Sequence, residues 1–323
     1  MKRKAGLAQD QLFSGQVVAA FGRQYLVELA NGNTIACLTR GKKSEAACGD
    51  IVQIRSTEDR TDETSSRIES QITGVPTASK EDSVAQGVIE NISPRSSCLH
   101  RSDAYRAKMV AANVTQIIVV VAAEPSFSDE LLARCLIAAF DQQLEVLIVL
   151  NKCDLHTAAE YARARLSPYA AIGYRVLELS AMQDISSLLP RLRDHSSVLV
   201  GQSGMGKSTL INALLPDAHA ATREISRVLD SGKHTTTHAR LYRIDASSSL
   251  IDCPGVQAFG LHHLSFGRIE QGFVEFAKYL GLCRFHDCRH LHEPGCALIN
   301  AVTLGRINAR RLELFQHITT TRS

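Results

Sequence analysis

The chain has 323 residues, of which 45% are apolar and 21% are charged, and its formal net charge is +3 with histidine neutral. This length allows two or three domains. The composition is typical of a soluble globular protein and excludes a membrane-spanning or strongly polycationic chain. The basic start of the chain lacks the apolar segment of a signal peptide. We therefore expect a cytoplasmic protein that has no membrane partner.

Residues 1–101 are predicted to form mostly β-structure. Short apolar or alternating runs recur in this segment, and Asn31-Gly32 is a strong hairpin-turn signal. The polar residues 56–85 predict a long mobile loop. Several short strands in so small a segment favour a Greek-key barrel of the OB type, although the pattern also fits other small β-barrels.

Residues 102–263 change to strands that alternate with helices. Apolar, β-branched runs at 115–123 and 144–150 flank a segment with helical spacing at 128–143. This alternation predicts an α/β domain with a mostly parallel sheet that is covered by helices on both faces. Residues 264–323 are predicted to be a small helical domain, in which a bound metal would help to stabilise a limited core.

The stretch GQSGMGKST begins at Gly201, follows an apolar strand and precedes a helical segment. It contains the phosphate-binding pattern G-x-x-x-x-G-K-[ST]. The strand before it and the helix after it are the context that a phosphate-binding loop requires, whereas the alternative, a glycine-rich turn with a surface lysine, does not need them. Lys207 is predicted to reach the β- and γ-phosphates, and Ser208 to bind Mg²⁺. Backbone N–H groups and the helix start supply the remaining contacts. The predicted residues are Gly201, Gln202, Ser203, Gly204, Met205, Gly206, Lys207, Ser208 and Thr209.

The stretch DCPG lies downstream of this loop in the same domain. Asp252 ends an apolar strand and is predicted to hold Mg²⁺, directly or through water. Gly255 is predicted to donate its backbone N–H to the γ-phosphate. The D-x-x-G pattern alone is common, so the prediction depends on the phosphate loop.

The stretch NKCD, Asn151 to Asp154, follows a second buried strand, and Ser180-Ala181 follows a third. A carboxylate at Asp154 can accept hydrogen bonds from the ring N–H and the amino group of guanine, and adenine does not offer that pattern. The stem of Lys152 can pack over the base, and the Ala181 amide can meet the guanine carbonyl. We predict that Asn151, Lys152, Cys153, Asp154, Ser180 and Ala181 bind the base, although NKCD alone could be an ordinary polar loop.

These motifs resemble those of translation-factor-type GTPases, but their order along the chain differs. In the usual order the phosphate loop comes first, whereas here NKCD precedes it. A circular permutation that keeps the strands in place accounts for this order. It also means that the segment after Asp252 leads directly into the C-terminal domain, so we expect the nucleotide state to reposition that domain.

Four potential metal ligands are bunched near the C-terminus, in a chain whose other six cysteines are scattered. Three thiolates and one imidazole suit a closed, tetrahedral, structural zinc site. His286 and His292 compete for the imidazole position, and a coincidental cluster of buried cysteines is the alternative. The predicted ligands are Cys283, Cys288, His290 and Cys296.

Taken together, the chain resembles the RsgA (YjeQ) family of circularly permuted GTPases over nearly its whole length. The resemblance rests on the OB-like segment, the permuted motif order, HTTT at 234–237 and the C-x₄-C-x-H-x₅-C cluster. It implies one structural Zn²⁺ on the four ligands above and Mg²⁺ with GTP. It also implies binding to the small ribosomal subunit and its rRNA in late assembly, with GTP hydrolysis to GDP and phosphate that the subunit stimulates. We expect a monomer.

The usual motif does not identify the residue that positions the attacking water. Many GTPases place a glutamine directly after the D-x-x-G glycine, but Val256 occupies that position and Gln257 comes one residue late. The resemblance includes FGLHH, so His263 is a candidate substitute, and a surface histidine is the equal alternative. Either Thr236 or Thr237 is predicted to reach Mg²⁺ and the γ-phosphate.

Basic side chains on the two outer domains are candidates for contacts with RNA phosphates. For any single one of them, an ordinary solvated surface residue is the better interpretation. Two other functions remain open from sequence alone: a metabolic P-loop kinase or ATPase, and a non-catalytic RNA-binding scaffold with structural GTP. The candidate RNA contacts are Arg23, Arg40, Lys42, Lys43, Arg310 and Arg311.

Overall fold

The computed structural model describes residues 12–40, 46–56, 86–103, 106–216, 239–253 and 259–321. The strands in these ranges are β1 Leu12–Phe21, β2 Gln24–Leu29, β3 Thr34–Thr39, β4 Ile51–Ser56, β5 Gln86–Ile92, β6 Cys98–Asp103, β7 Arg106–Ala112, β8 Gln116–Ala122, β9 Glu145–Asn151, β10 Arg175–Glu178, β11 Ser196–Val200, β12 Arg240–Arg243 and β13 Ser249–Asp252. The helices are α1 Asp129–Asp141, α2 His156–Ala171, α3 Leu189–Leu192, α4 Lys207–Leu214, α5 Phe266–Gln271, α6 Ala297–Thr303 and α7 Ala309–Thr320, with a 3₁₀ turn at Val274–Phe276.

Strands β1 to β5 form a closed barrel in the order β1-β2-β3-β5-β4, and β4 pairs with β1 to complete it. Strand β3 runs parallel to β5, and the other neighbours are antiparallel. The predicted turn at Asn31-Gly32 joins β2 to β3, where Gly32 has a φ of +82°. This is the five-stranded barrel of the OB type that the sequence predicts. The predicted loop at 56–85 lies almost wholly outside the described residues.

The central sheet has the strand order β10-β9-β8-β11-β13-β12, and all neighbours are parallel except β12 with β13. Strands β8, β9 and β11 are apolar along nearly their whole length because helices cover both faces of the sheet. The chain order moves from β8 to β9 in one direction and from β11 to β13 in the other. Such a reversal leaves a crevice at the carboxyl ends of the central strands, where ligands bind in open α/β sheets.

The barrel and the central sheet are continuous through their edge strands. Ala19 of β1 pairs with Arg240 of β12, and the Ala20 amide donates to the Ala239 carbonyl at 3.3 Å. The Arg243 guanidinium also contacts the Glu28 carboxylate at 2.7 Å. The segment that directly follows the HTTT stretch is therefore attached to the barrel.

Strands β6 and β7 form a separate two-stranded hairpin between the barrel and the central sheet. Residue Cys48 pairs with Ala111 in the hairpin, and the Gly260 amide donates to the His100 carbonyl at 3.0 Å. The predicted domain boundary at residue 101 falls within β6. The domain bounds 1–101, 102–263 and 264–323 stay a prediction.

The C-terminal segment is helical, but its helices are shorter than the sequence pattern indicates. The apolar residues of 266–280 have helical spacing, but the helix ends at Gln271, and Phe273 has a non-helical backbone with φ −89° and ψ 82°. Gly272 lies close to α1, where a Cβ would be 3.1 Å from Ile137. The stretch 295–321, which also has a helical pattern, divides into α6 and α7 at Gly305, which has a φ of +67°.

The C-terminal helices share one hydrophobic core with the central sheet, whereas the barrel has its own core. Phe273, Phe276 and Phe315 are fully buried and pack their rings together at centroid distances of 5.0 to 5.5 Å. The C-terminal module is therefore anchored to the central domain by apolar packing.

Candidate functional site

The carboxyl ends of the central strands bring the predicted nucleotide-binding motifs to one edge of the sheet. Strand β9 ends at Asn151, β11 leads into Gly201, and β13 ends at Asp252. In the parallel register Ala122 pairs with Asn151 and Leu199 pairs with Asp252, so these ends lie side by side. Residues far apart in the sequence therefore converge at the crevice.

The phosphate loop depends on glycine at positions where the backbone passes close to its neighbours. Gly201 has a φ of +148°, and a Cβ there would lie 2.3 Å from the Val120 carbonyl oxygen. Gly206 has a φ of +90°, and a Cβ there would lie 2.3 Å from Nδ2 of Asn151. A side chain at either position would displace the loop. Ser203, Gly204 and Ser208 are exposed on the loop, where a ligand can reach them.

The Asn151 side chain joins the phosphate loop to the Ser180-Ala181 loop. Its Nδ2 donates to the Met205 carbonyl at 2.9 Å, and its Oδ1 accepts the Ala181 amide at 2.9 Å. Asn151 is 2% exposed, so both hydrogen bonds are shielded from water. The Ala181 amide, which we predicted to meet guanine, can do so here only by sharing its N–H with Asn151.

The base-recognition loop presents a charged, exposed carboxylate. The nearby Ser180 hydroxyl lowers the pKa of Asp154, so this group is ionised at neutral pH. Lys152 has a φ of +62°, a backbone conformation that directs the chain sharply out of β9. The Cys153 amide donates to the Leu179 carbonyl and its thiol to the Leu150 carbonyl, so Cys153 stabilises the loop itself.

Lys207 and Asp252 face each other across the phosphate loop. The Lys207 ammonium donates to the carbonyls of Gly201 and Gln202. Burial lowers the pKa of Lys207, and the negative charge of Asp252 opposes that shift. Burial raises the pKa of Asp252, and the positive charge of Lys207 opposes that shift. A half-buried cation beside a half-buried carboxylate suits a site for a phosphate chain with a divalent cation.

Gln202 attaches the phosphate loop to α1. Its Oε1 accepts the Ser128 amide at 2.7 Å, and Ser128 is the N-cap of α1. No local sequence pattern indicates this contact, since the two residues are 74 positions apart. Thr209 lies within α4, one turn beyond the loop.

His263 is placed away from the phosphate loop in this structure. Its Nε2 lies 4.0 Å from the Asp141 carboxylate, and its ring centroid lies 5.5 Å from that of His100. Asp141 is the last residue of α1, whereas Gln202 contacts the N-cap of that helix. A 13-residue helix is about 20 Å long, so His263 must move to act on a nucleotide. Thr236, Thr237, Gly255, Val256 and Gln257 lie outside the described residues.

The four predicted metal ligands are gathered in one group. Their ligand atoms all lie within 4.8 Å of one another, and the His290 Nδ1 lies 3.5, 3.6 and 3.2 Å from the sulfurs of Cys283, Cys288 and Cys296. The sulfurs of Cys283 and Cys296 are 4.0 Å apart. A tetrahedral zinc ion requires about 3.8 Å between sulfurs and about 3.6 Å between sulfur and nitrogen. The group fits such an ion.

The surroundings of this group favour a structural ion. Cys288, His290 and Cys296 are buried, and burial raises the pKa of the Cys288 thiol to about 12. A bound cation would displace that thiol proton. His286 and His292 are exposed and outside the group, so His290 is the imidazole ligand that the geometry supports.

The basic residues predicted to contact RNA do not all reach the surface. Arg311 is 2% exposed, and its guanidinium pairs with Glu275 at 2.6 Å. The prediction that Arg311 contacts RNA is therefore wrong, because its guanidinium is buried and its charge is paired with Glu275 inside the protein. Arg310, Arg40 and Arg23 are exposed, and Lys42 and Lys43 lie outside the described residues.

The sequence profile of the RsgA GTPase family matches residues 92–262. The chain is 52% identical to the small ribosomal subunit biogenesis GTPase RsgA of Nitrosospira multiformis, over 94% of this chain and 89% of that protein. It is 48% identical to the protein of that name from Burkholderia pseudomallei, over 94% of this chain and 90% of that protein. The chain belongs to the RsgA GTPase family.

Solved structures agree with this RsgA assignment. The crystal structure of YjeQ from Thermotoga maritima has a TM-score of 0.67 and 26% identity, and the match covers 97% of this chain and 99% of that chain. YloQ, described as a circularly permuted GTPase, has a TM-score of 0.65 over 98% of each chain and shows the same fold. The prediction of a permuted GTPase domain with an OB-type barrel and a helical Cys/His module is confirmed. Across the described ranges, no helix combines the length and the apolar character needed to cross a bilayer.

Two contacts of this RsgA-family site were not anticipated from the sequence. One is the Gln202–Ser128 hydrogen bond, and the other is a contact between the His290 ring and Glu270 of α5 at 2.5 Å. Glutamate within a short helical run has no distinguishing pattern, and its partner lies 20 residues further on. Only the tertiary structure could reveal these contacts.

Proposed function

We propose that this chain is a GTPase that binds the small ribosomal subunit, acts in its late assembly and hydrolyses GTP to GDP and phosphate. The observation that carries this proposal is the Asn151 bridge, which ties a phosphate loop to two base-recognition loops in a chain of the RsgA family. The names of the relatives supply the small ribosomal subunit as the partner. Such a role would operate in the cytoplasm, and we propose that the chain acts as a monomer.

The guanine base would lie against the NKCD and Ser180-Ala181 loops. The ionised Asp154 carboxylate accepts from the guanine N1–H and the exocyclic amine, and the Lys152 stem covers one face of the ring. Two hydrogen-bond acceptors at this position reject adenine, whose edge lacks that donor pair. Asn151 holds both loops in place rather than competing with Asp154 for the base edge.

The triphosphate would lie in the loop that begins at Gly201. Its backbone N–H groups and the start of α4 face the phosphates, and Lys207 neutralises the β- and γ-phosphates. The Ser208 hydroxyl and the Asp252 carboxylate would hold Mg²⁺, because Asp252 ends β13 and Ser208 lies at the start of α4, which follows the adjacent strand β11. Gly255 and either Thr236 or Thr237 would contact the γ-phosphate.

We propose that His263 positions the attacking water only after the small subunit rearranges the segment that carries it. The contact with Asp141 places His263 at the far end of α1, which is consistent with slow hydrolysis by the free protein. A partner that brings this histidine to the γ-phosphate would raise the turnover number.

We also propose that Cys283, Cys288, His290 and Cys296 hold one structural zinc ion. Zinc would supply cross-links between the loop at 282–296 and α6, because Cys296 is the N-cap of α6. Four protein ligands leave no open coordination position, so this ion would take no part in hydrolysis. The separations between the ligand atoms support this proposal.

The test is the turnover of GTP by the purified chain with and without purified small ribosomal subunits. We expect slow turnover alone, strong stimulation by small subunits, and no comparable turnover of ATP. The variant Lys207→Ala serves as the control for contaminating GTPases and should lose the stimulated turnover. Equal turnover with and without subunits would contradict the proposed partner, and equal turnover of ATP and GTP would contradict the proposed substrate.

A further inference from the structure

The imidazole of His290 is held at both of its nitrogen atoms. Nδ1 faces the sulfurs of Cys283, Cys288 and Cys296. Nε2 lies 2.5 Å from Oε1 of Glu270, with side-chain exposures of 5% for His290 and 17% for Glu270. The contact is therefore a short hydrogen bond in a largely dry environment.

A carboxylate at this position determines which nitrogen of the ring can bind a metal ion. A neutral imidazole has one N–H, and the other nitrogen carries the lone pair that a metal needs. Glu270 can only accept at Nε2, so the proton stays on Nε2 and the lone pair of Nδ1 points at the sulfurs. Hydrogen bonds from the ring nitrogen that does not bind the metal orient metal-ligating histidines.

The ring is also fixed by packing on its faces. The Phe266 ring is stacked on it, with centroids 6.5 Å apart and an interplanar angle of 11°, and the Phe315 ring lies at 5.9 Å. Phe266 and Glu270 occupy the same face of α5, one turn apart. One short helix therefore supplies both the hydrogen bond and the stacking contact for the histidine.

Helix α5 is anchored on its other side to the central domain. Arg268 donates to the Asp141 carboxylate at 2.8 Å and to the Asp141 carbonyl at 3.0 Å, at the end of α1. Helix α5 also begins directly after the segment that leads away from Asp252 and carries His263. It is the element that joins that segment to the metal ligands.

We infer that Glu270 is a positioning residue of the metal centre, which aims Nδ1 of His290 at the ion and thereby ties α5 to the metal-binding loop. This inference rests on the proposed zinc site. Loss of the carboxylate leaves the ring free to exchange its proton between the two nitrogens and to rotate, and both changes weaken the fourth ligand. Outer-sphere partners of this type contribute about 10- to 100-fold in metal affinity.

The test measures how fast the full-length, zinc-loaded protein transfers its zinc to an excess of a chromogenic chelator. We expect Glu270→Ala to speed the transfer about 10- to 100-fold relative to the unmodified protein. Glu270→Gln keeps an oxygen acceptor without the charge, so its rate should lie between the two. Glu160→Gln makes the same chemical change on the exposed face of α2 and should leave the rate unchanged.

Arg268→Ala separates positioning of the ring from general loosening of α5. This change releases α5 from Asp141 without touching His290, so we expect zinc transfer close to that of the unmodified protein. Transfer as fast as in Glu270→Ala would overturn the inference in favour of a purely structural role. Binding of a fluorescent GDP analogue confirms that each variant is folded. If Glu270→Ala does not fold, the rate of zinc transfer from Glu270→Gln provides the test.

The outcomes distinguish this inference from the zinc proposal on which it rests. If the unmodified protein holds one zinc ion and Glu270→Ala releases it at the same rate, only the role of Glu270 is overturned. If the unmodified protein, purified without chelators and supplied with zinc, holds none, the zinc site and the role of Glu270 are both overturned.

Discussion

Asn151 Nδ2 donates to the Met205 carbonyl at 2.9 Å, which connects the base-recognition loop to the phosphate loop although the two residues are 54 positions apart. The Asn151 Oδ1 holds the Ala181 amide at the same time. Because a permuted chain reaches these loops in an unusual order, this side chain is the physical link between them on which the proposed nucleotide site depends.

The variant Asn151→Ala should weaken the binding of both GDP and GTP by about 5- to 100-fold, since a lost buried hydrogen-bonding partner costs about 1–3 kcal/mol. The Kd of a fluorescent GDP analogue measures this effect. Asn300→Ala, an exposed asparagine on α6, is the matched control and should bind normally. An unchanged Kd in Asn151→Ala would show that the bridge does not organise the site.

Arg311 provides a second prediction, which concerns stability rather than binding. It is buried against Glu275, and its guanidinium lies 4.5 Å from the centroid of the Phe273 ring. The variant Arg311→Ala leaves the Glu275 charge buried without its partner, so the free energy of unfolding should fall by about 3–5 kcal/mol. Urea unfolding followed by circular dichroism measures the change.

The neighbouring Arg310 is the control for this experiment. Its side chain is 61% exposed, and its ion pair with Glu313 is on the surface. Arg310→Ala should therefore cost no more than about 1 kcal/mol. Equal losses in the two variants would mean that the buried pair has no special role in attaching α7 to the 3₁₀ turn at Val274–Phe276.

The local motifs, and the fact that they meet, could be predicted from the sequence. The glycines and Lys207 of the phosphate loop are consecutive, and NKCD directly follows an apolar strand. The carboxyl ends of parallel strands lie at one edge of the sheet, so recognising a parallel sheet was enough to place these motifs together. The metal ligands also lie within 14 residues of sequence, from Cys283 to Cys296.

Features that depend on contacts between distant residues could not be predicted. The helix that begins at Phe266 ends before Phe273, whose backbone is not helical, and nothing in the helical spacing of 266–280 indicates this break. The burial of Arg311 depends on Glu275, 36 residues earlier. The position of His263 beside Asp141 likewise follows from packing between elements rather than from a local pattern.

His263 provides a third prediction, for catalysis on the small subunit. The variant His263→Ala should lower subunit-stimulated GTP turnover by about 100-fold, because an oriented histidine contributes about 10²–10⁴-fold to such a step. The Kd for GDP should be unchanged, since His263 is remote from the phosphate loop in the free protein. Stimulated turnover is measured as phosphate release, with His262→Ala as the control. If small subunits stimulated GTP turnover by His263→Ala as strongly as that of the unmodified protein, another residue would position the attacking water.

The most direct test of a single guanine site is the exchange of base specificity at Asp154. In Asp154→Asn, the amide presents a donor that repels the guanine amino group but matches the carbonyl that xanthine has in its place, so specificity should move from GTP to XTP. We predict that the Kd for GDP rises by a factor on the order of 100 and that the variant binds XDP more tightly than GDP. The measurement is competition of GDP and XDP for the site, in the unmodified protein and in the variant. If Asp154→Asn bound GDP as tightly as the unmodified protein does, the base would lie elsewhere and the proposed convergence of the loops on one nucleotide would be contradicted.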